Sequence, residues 1–192
     1  MSKINVALIV LFASSVWGCT TSKVSLSETN DITNEIHDSI FRKYIQFMTL
    51  SAWSIYDENK DSKLSSKEAL NIKEIKIDPY SKIQSLAGIE FFKNIEKLTC
   101  KQADLSELNL SNNLNLIYLD CSDTRLEKLD LNNNLKLKEL YCFQSLISDL
   151  RIDKCKNLEI LECYRSGVTV LNTKKLHKLK TLFRLICSLG TQ

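Results

Sequence analysis

The chain is 192 residues long, with 26 lysines and arginines against 23 aspartates and glutamates, seven cysteines, four glycines and one proline. That length suffices for one domain with a sizeable core, and so little glycine and proline excludes a disordered or linker-rich chain. The net charge of +3 comes from interleaved charges without a basic block or arginine stripe, which argues against a nucleic-acid partner.

Residues 1–18 read as an export signal: Lys3 gives a positive start, Val6 to Val16 an apolar run, and Gly18 a small residue before Cys19. The run is too short to remain as a membrane-spanning helix. Val16-Trp17-Gly18-Cys19 resembles the bacterial lipobox, although Trp17 stands where a small residue is usual. The resemblance implies lipid attachment at Cys19 and anchoring in the cell envelope, at the outer membrane or cell surface. An ordinary secretory cleavage, leaving a periplasmic or secreted protein, is the alternative. Residues 19–32 are polar and aperiodic, as a tether should be.

A helical cap is expected over 33–71. Ile36, Ile40, Tyr44, Phe47 and Met48 recur at three- and four-residue spacing, which predicts an amphipathic helix over about 33–56. The segment Asp57 to Glu68 then matches a twelve-residue EF-hand loop. A hard cation needs six or more oxygens. Asp57, Asn59 and Asp61 offer side-chain oxygens, Lys63 its carbonyl, Ser65 a direct or water-mediated contact, and Glu68 two carboxylate oxygens. Leu64 holds the apolar position that pins the loop to the core. Ser62 replaces the glycine of the sharp turn, at a cost of about 1–2 kcal/mol for left-handed backbone. Calcium, bound weakly, is one reading of this segment. A polar cap that binds nothing is the other.

From residue 72 to 192 the sequence is periodic. Cys100, Cys121, Cys142 and Cys163 recur at one fixed interval, each closing the same phrase: Ile95-x-x-Leu98-x-Cys100, Leu116-x-x-Leu119-x-Cys121, Leu137-x-x-Leu140-x-Cys142 and Leu158-x-x-Leu161-x-Cys163. A constant period of this size denotes a solenoid whose turns bury together what none can bury alone. A small residue stands three places after each of these cysteines (Ala103, Thr124, Ser145, Ser166), with Cys187 in the same slot after Arg184, and a second apolar set such as Leu126/Leu129/Leu131 completes the turn. Buried, reduced thiols suit the cysteine column better than disulfides, because stacked side chains point the same way. Cys155 replaces the turn asparagines Asn113 and Asn134 and is expected to be an exposed thiol. Arg184, where a cysteine is due, predicts a frayed or partly wet end.

The run from Ile83 to Leu98 looks like the first repeat of internalin-type leucine-rich-repeat proteins, and the cysteine-bearing repeats resemble those of bacterial leucine-rich-repeat lipoproteins. The resemblance spans about residues 50–190. It implies an α/β repeat solenoid, a right-handed stack with a parallel concave sheet and a small helical cap, and a role in adhesion or protein recognition. Strand alternation turns three columns outward, gathering Tyr118, Tyr141, Phe143, Tyr164 and Phe183 with Asp120, Glu139, Glu162 and Arg165 around them. Exposed aromatics beside charges are what interfaces favour. A protein, a peptide or a glycan fits such a face, and the chain is expected to be monomeric. A scaffold component of the envelope without a dedicated ligand is the alternative. No G-x-S-x-G, H-E-x-x-H, phosphate-loop or C-x-x-C motif occurs, so no enzyme is expected.

Overall fold

The computed structural model describes residues 31–36, 38–45, 58 and 63–184. Strands β1 (Glu74–Lys76), β2 (Lys97–Thr99), β3 (Tyr118–Asp120), β5 (Glu139–Tyr141), β7 (Ile160–Glu162) and β8 (Thr181–Phe183) form one parallel sheet, in the order β1-β2-β3-β5-β7-β8. Strands β4 (Lys128–Asp130) and β6 (Asp149–Arg151) pair in a second, two-stranded parallel sheet. Each pairing from β2 to β8 advances by the same interval along the chain, so Leu98, Leu119, Leu140, Leu161 and Leu182 form one column. Ile75 heads it on β1.

The column is buried from Ile75 to Leu161, as are Cys100, Cys121, Cys142 and Cys163 beside it. The cysteines act here as small apolar side chains. All four are free thiols. Burial pushes each of them up. Just after each of these cysteines the chain turns sharply. Gln102, Asp123, Gln144 and Arg165 hold left-handed backbone there, with φ between 52° and 60°. No glycine marks these turns, so the sequence does not announce them. The next residue closes the turn: the hydroxyls of Thr124, Ser145 and Ser166 donate to the carbonyls of Cys121, Cys142 and Cys163 at 2.8, 2.7 and 2.6 Å.

A second ladder runs along the opposite turn. Asn113 Nδ2 donates to the carbonyls of Ile89 and Phe92, and Asn134 Nδ2 to those of Leu110 and Asn113, all at 2.9–3.1 Å. Cys155 occupies the next rung, its Sγ 3.2 Å from the Leu131 carbonyl. The expectation of an exposed thiol is therefore corrected: Cys155 is 0% exposed, and burial pushes its thiol up to about 12. The asparagines it replaces are themselves buried, because their amides stitch each turn to the one before.

The cap is also corrected in detail. A single 3-10 turn, Thr33–Glu35, ends in extended backbone at Ile36. Helix resumes over 39–45 behind Asp38, whose Oδ1 accepts the N–H groups of Ile40 and Phe41 at 2.8 and 2.7 Å. This is an N-cap, which the continuous helix expected from Thr33 overlooked. The buried face carries Phe41 and Ile45, while Ile40 is 43% exposed. Phe47 and Met48 lie outside the described residues. Cap and repeats share one core through Ile36, Phe41, Ile45, Leu64 and Ala69. Gly88, at φ 103°, lets the backbone pass: a Cβ there would stand 2.9 Å from Ile36 Cγ1.

At the far end Leu182 and Phe183 are 43% and 56% exposed. Arg184 is half-buried, and its guanidinium donates to the Thr169 carbonyl while Nε has no partner. Cys187 lies outside the described residues.

Candidate interaction surface

The short strands alternate around their buried central residue, and what they turn outward forms columns fixed by register. One reads Glu74, Lys97, Tyr118, Glu139, Ile160, Thr181, and another Lys76, Thr99, Asp120, Tyr141, Glu162, Phe183. Tyr118 and Tyr141 meet diagonally across β3 and β5 with ring centroids 5.5 Å apart and planes tilted by 41°. Phe143 and Tyr164, just beyond β5 and β7, stack with centroids 4.7 Å apart and planes within 4°. Lys101 Nζ lies 5.2 Å from the Phe143 ring centroid, within cation–π range.

The carboxylates around these rings are organised by the same register. Tyr141 Oη donates to Glu139 Oε2 at 3.0 Å. Burial, and then this bond and the Glu139 charge, push the Tyr141 phenol up to about 12. Tyr118 is also raised, by burial first and then by Asp120, Glu139, Glu162 and Glu74. One phenol thus feels four carboxylates at once. Asp120 Oδ1 accepts the Ser122 hydroxyl at 2.6 Å and the Ser122 N–H at 3.1 Å, which fixes its rotamer. Among the described residues no cation forms an ion pair with Asp120, Glu139 or Glu162.

Tyr118, Asp120, Tyr141, Phe143, Glu162, Tyr164 and Phe183 therefore lie on or beside one sheet face. Arg165 follows Tyr164 at the left-handed turn after β7 and is exposed there. Ser122, which the alternation turns outward, is buried against Asp120. Glu139, which the sequence already places beside the aromatics, is tied to them through Tyr141.

The loop at the cap presents a different chemistry. Ser65 caps the helical turn Ser66–Ala69 in a reciprocal capping box with Glu68. Glu68 is 2% exposed. Its Oε2 accepts the N–H and hydroxyl of Ser65 at 2.8 and 2.7 Å, and Oε1 accepts the Glu58 N–H at 2.9 Å. Both carboxylate oxygens thus already have protein donors. Leu64 is buried, its N–H donating to Thr33 Oγ1 and its carbonyl accepting from Ile32. Lys63 Nζ stands 3.8 Å from Asp31 Oδ2. Asp57, Asn59 and Asp61, like Cys19 at the other expected site, lie outside the described residues. Among the described residues no group of three or more His, Cys, Asp or Glu side chains surrounds a metal position.

No protein-family model matches the chain, and no curated protein matches it either. Solved structures do. An internalin, InlF, from Listeria monocytogenes superposes with a TM-score of 0.60 at 19% identity, over 84% of this chain and 54% of that one. The fold is a leucine-rich-repeat solenoid. Internalin C2 of the same organism gives 0.57 at 16% identity, over 83% of this chain and 79% of that one. A leucine-rich-repeat protein of Leptospira interrogans gives 0.54 at 18% identity, over 62% and 33%. The chain thus spans about half the length of the Listeria InlF structure and a third of the Leptospira one. At these identities the likeness is one of fold. Among the described residues no helix is long and apolar enough to cross a membrane.

Proposed function

We propose that this solenoid is a recognition module of the bacterial cell envelope that takes a protein partner on the outward face of its six-stranded sheet. The observation that carries this reading is the pairing of Tyr118 with Tyr141 and of Phe143 with Tyr164 on one face, beside carboxylates that form no ion pair among the described residues. Leucine-rich-repeat stacks build extended binding surfaces of this kind, and rigid aromatics supply contact area at low entropic cost. The signal-like start and the lipobox-like Cys19 support an envelope location with a lipid anchor. Calcium is proposed only as a stabiliser of the 57–68 loop. What supports it is the sequence spacing of Asp57, Asn59, Asp61 and Glu68, and binding would require Glu68 to release the donors it now accepts from Ser65 and Glu58.

The test is site-specific photo-crosslinking in intact cells. A probe replacing Phe143 should label a protein that a probe replacing Lys128, on the two-stranded sheet, does not. Combined Tyr141→Ala, Phe143→Ala and Tyr164→Ala substitutions should abolish capture of that partner while the protein still folds. Equal labelling from both probes, or indifference to the triple substitution, overturns the sheet-face reading and favours a scaffold role.

A further inference from the structure

The charges that interleave along the sequence do not interleave in space. The turn edge carrying the asparagine ladder has its own register, fixed by hydrogen bonds from one turn to the next: Lys136 Nζ to Asn115 Oδ1 at 2.6 Å, Lys178 Nζ to Asn157 Oδ1 at 2.7 Å, and Asn157 Nδ2 to the Leu135 carbonyl at 2.8 Å. Winding the chain on this register lays segments 132–138, 153–159 and 174–180 side by side, about 4.8 Å apart per turn. Together they hold eight lysines against two carboxylates, Asp153 and Glu159, an excess twice that of the whole chain. All eight lysines are exposed. Glu159 is already taken by Lys180, 2.6 Å away, and its carboxyl is held below its usual range by Lys180 first and then by Lys138 and Lys178.

The same edge exposes apolar surface. Each residue after a ladder rung points outward, and in the two asparagine turns that residue is leucine. Leu114 is 54% exposed and Leu135 53%. Lys156 and His177 continue their column. Two stacked leucines beside an array of ammonium groups have a chemistry that a soluble polyanion does not require. A surface with phosphates outside and hydrocarbon beneath satisfies both parts.

We infer that this edge docks on an anionic membrane, with Lys136, Lys154, Lys156, Lys175 and Lys178 on the headgroup phosphates and Leu114 and Leu135 in the acyl boundary. The contact is distinct from any lipid at Cys19 and leaves the aromatic sheet face to its own partner. Each lysine near an anionic surface is worth roughly a fivefold gain in partitioning, and shallow burial of two half-exposed leucines adds about tenfold.

The experiment is cosedimentation of the chain from residue 19 onward, as removal of the export signal would leave it, bearing Cys19→Ser, with phosphatidylglycerol–phosphatidylcholine vesicles and with pure phosphatidylcholine vesicles. The expected result is binding to the anionic vesicles alone, reversed by molar salt. Lys136→Glu, Lys156→Glu and Lys178→Glu together should lower it by at least about 100-fold, the loss of three lysines at about fivefold each before any repulsion from the new carboxylates. Leu114→Ser with Leu135→Ser should lower it about tenfold. Circular dichroism and the urea midpoint check that each variant folds, and Lys154→Gln with Lys175→Gln replaces any charge reversal that does not. Equal binding to both vesicle types, no binding to either, or retention by the charge-reversed protein overturns the inference. Indifference to the leucine substitutions also overturns it, leaving a soluble polyanion as the ligand.

Discussion

Replacing Asn134 by alanine removes the middle rung of the buried ladder and tests how the turns hold together. Asn134 Nδ2 donates to the carbonyls of Leu110 and Asn113 at 3.0 and 2.9 Å. Those carbonyls also accept the backbone N–H groups of Asn113 and Leu116, so neither is left wholly without a partner. The loss is then the net worth of two hydrogen bonds, about 0.5–1.5 kcal/mol each. Relief offsets part of it, because Asn134 Oδ1 is buried without a partner and disappears too. The small void left by the amide adds to the cost. The sum is about 1–2 kcal/mol, or a fall in melting temperature of roughly 3–8 °C for a chain of this size. Thermal and urea unfolding followed by circular dichroism measure it. Asn133→Ala is the control: its side chain is exposed and reaches the Ser111 carbonyl only at 3.4 Å, so it should change little. Cys155→Asn is the converse, restoring amide donors at the thiol rung and raising stability by up to about 1 kcal/mol. A ladder that stitches the stack is refuted if Asn134→Ala behaves like Asn133→Ala.

Three further outcomes follow from the cap and the tyrosines. Glu68→Gln should destabilise the cap even without calcium, by about 1–2 kcal/mol, because an amide nitrogen would face one of the N–H or O–H donors now bound by the carboxylate. Melting curves in calcium and in chelator separate this cost from any metal effect: a wild-type midpoint unmoved by millimolar calcium would leave only the capping box. Gly88→Ala should cost about 1–2 kcal/mol for its left-handed φ alone, and more for the approach to Ile36; proteolysis at the cap should rise with it, and unchanged resistance would contradict the close contact. The phenols of Tyr44 and Tyr141 are pushed up to about 12, both by burial first, so the folded state holds their protons more tightly than the unfolded chain. Their contribution to stability is complete below pH 10 and is lost as pH rises through 12; Tyr141→Phe should flatten part of that loss in urea midpoints, and a native phenol titrating at pH 10 would refute it.

The repeat was legible because burial imposes it: Leu98, Leu119, Leu140 and Leu161 share one register in sequence and one column in space. The outward columns followed from the same arithmetic. Cys155 was misread because asparagine-rich segments look like solvated turns, and only the coordinates show their amides directed inward to carbonyls of the preceding turn. Ile40 was placed on the wrong helix face because the helix starts afresh at Asp38, which resets the phase. The left-handed column at Gln102, Asp123, Gln144 and Arg165 carries no glycine and so left no mark. The basic edge escaped for a geometric reason: lysines a full turn apart along the chain are neighbours only after winding.

The left-handed residues close every turn in the same way whatever side chains the adjacent strand displays. A copied turn would therefore find both of its junctions already made. Duplication of residues 137–157 would lengthen the sheet by one strand, about 4.8 Å, and repeat Tyr141 and Phe143 one rung further along without altering any existing contact within the rungs. What the molecule displays is thus separable from what holds it up, and the display can be edited row by row, like type set in a fixed frame.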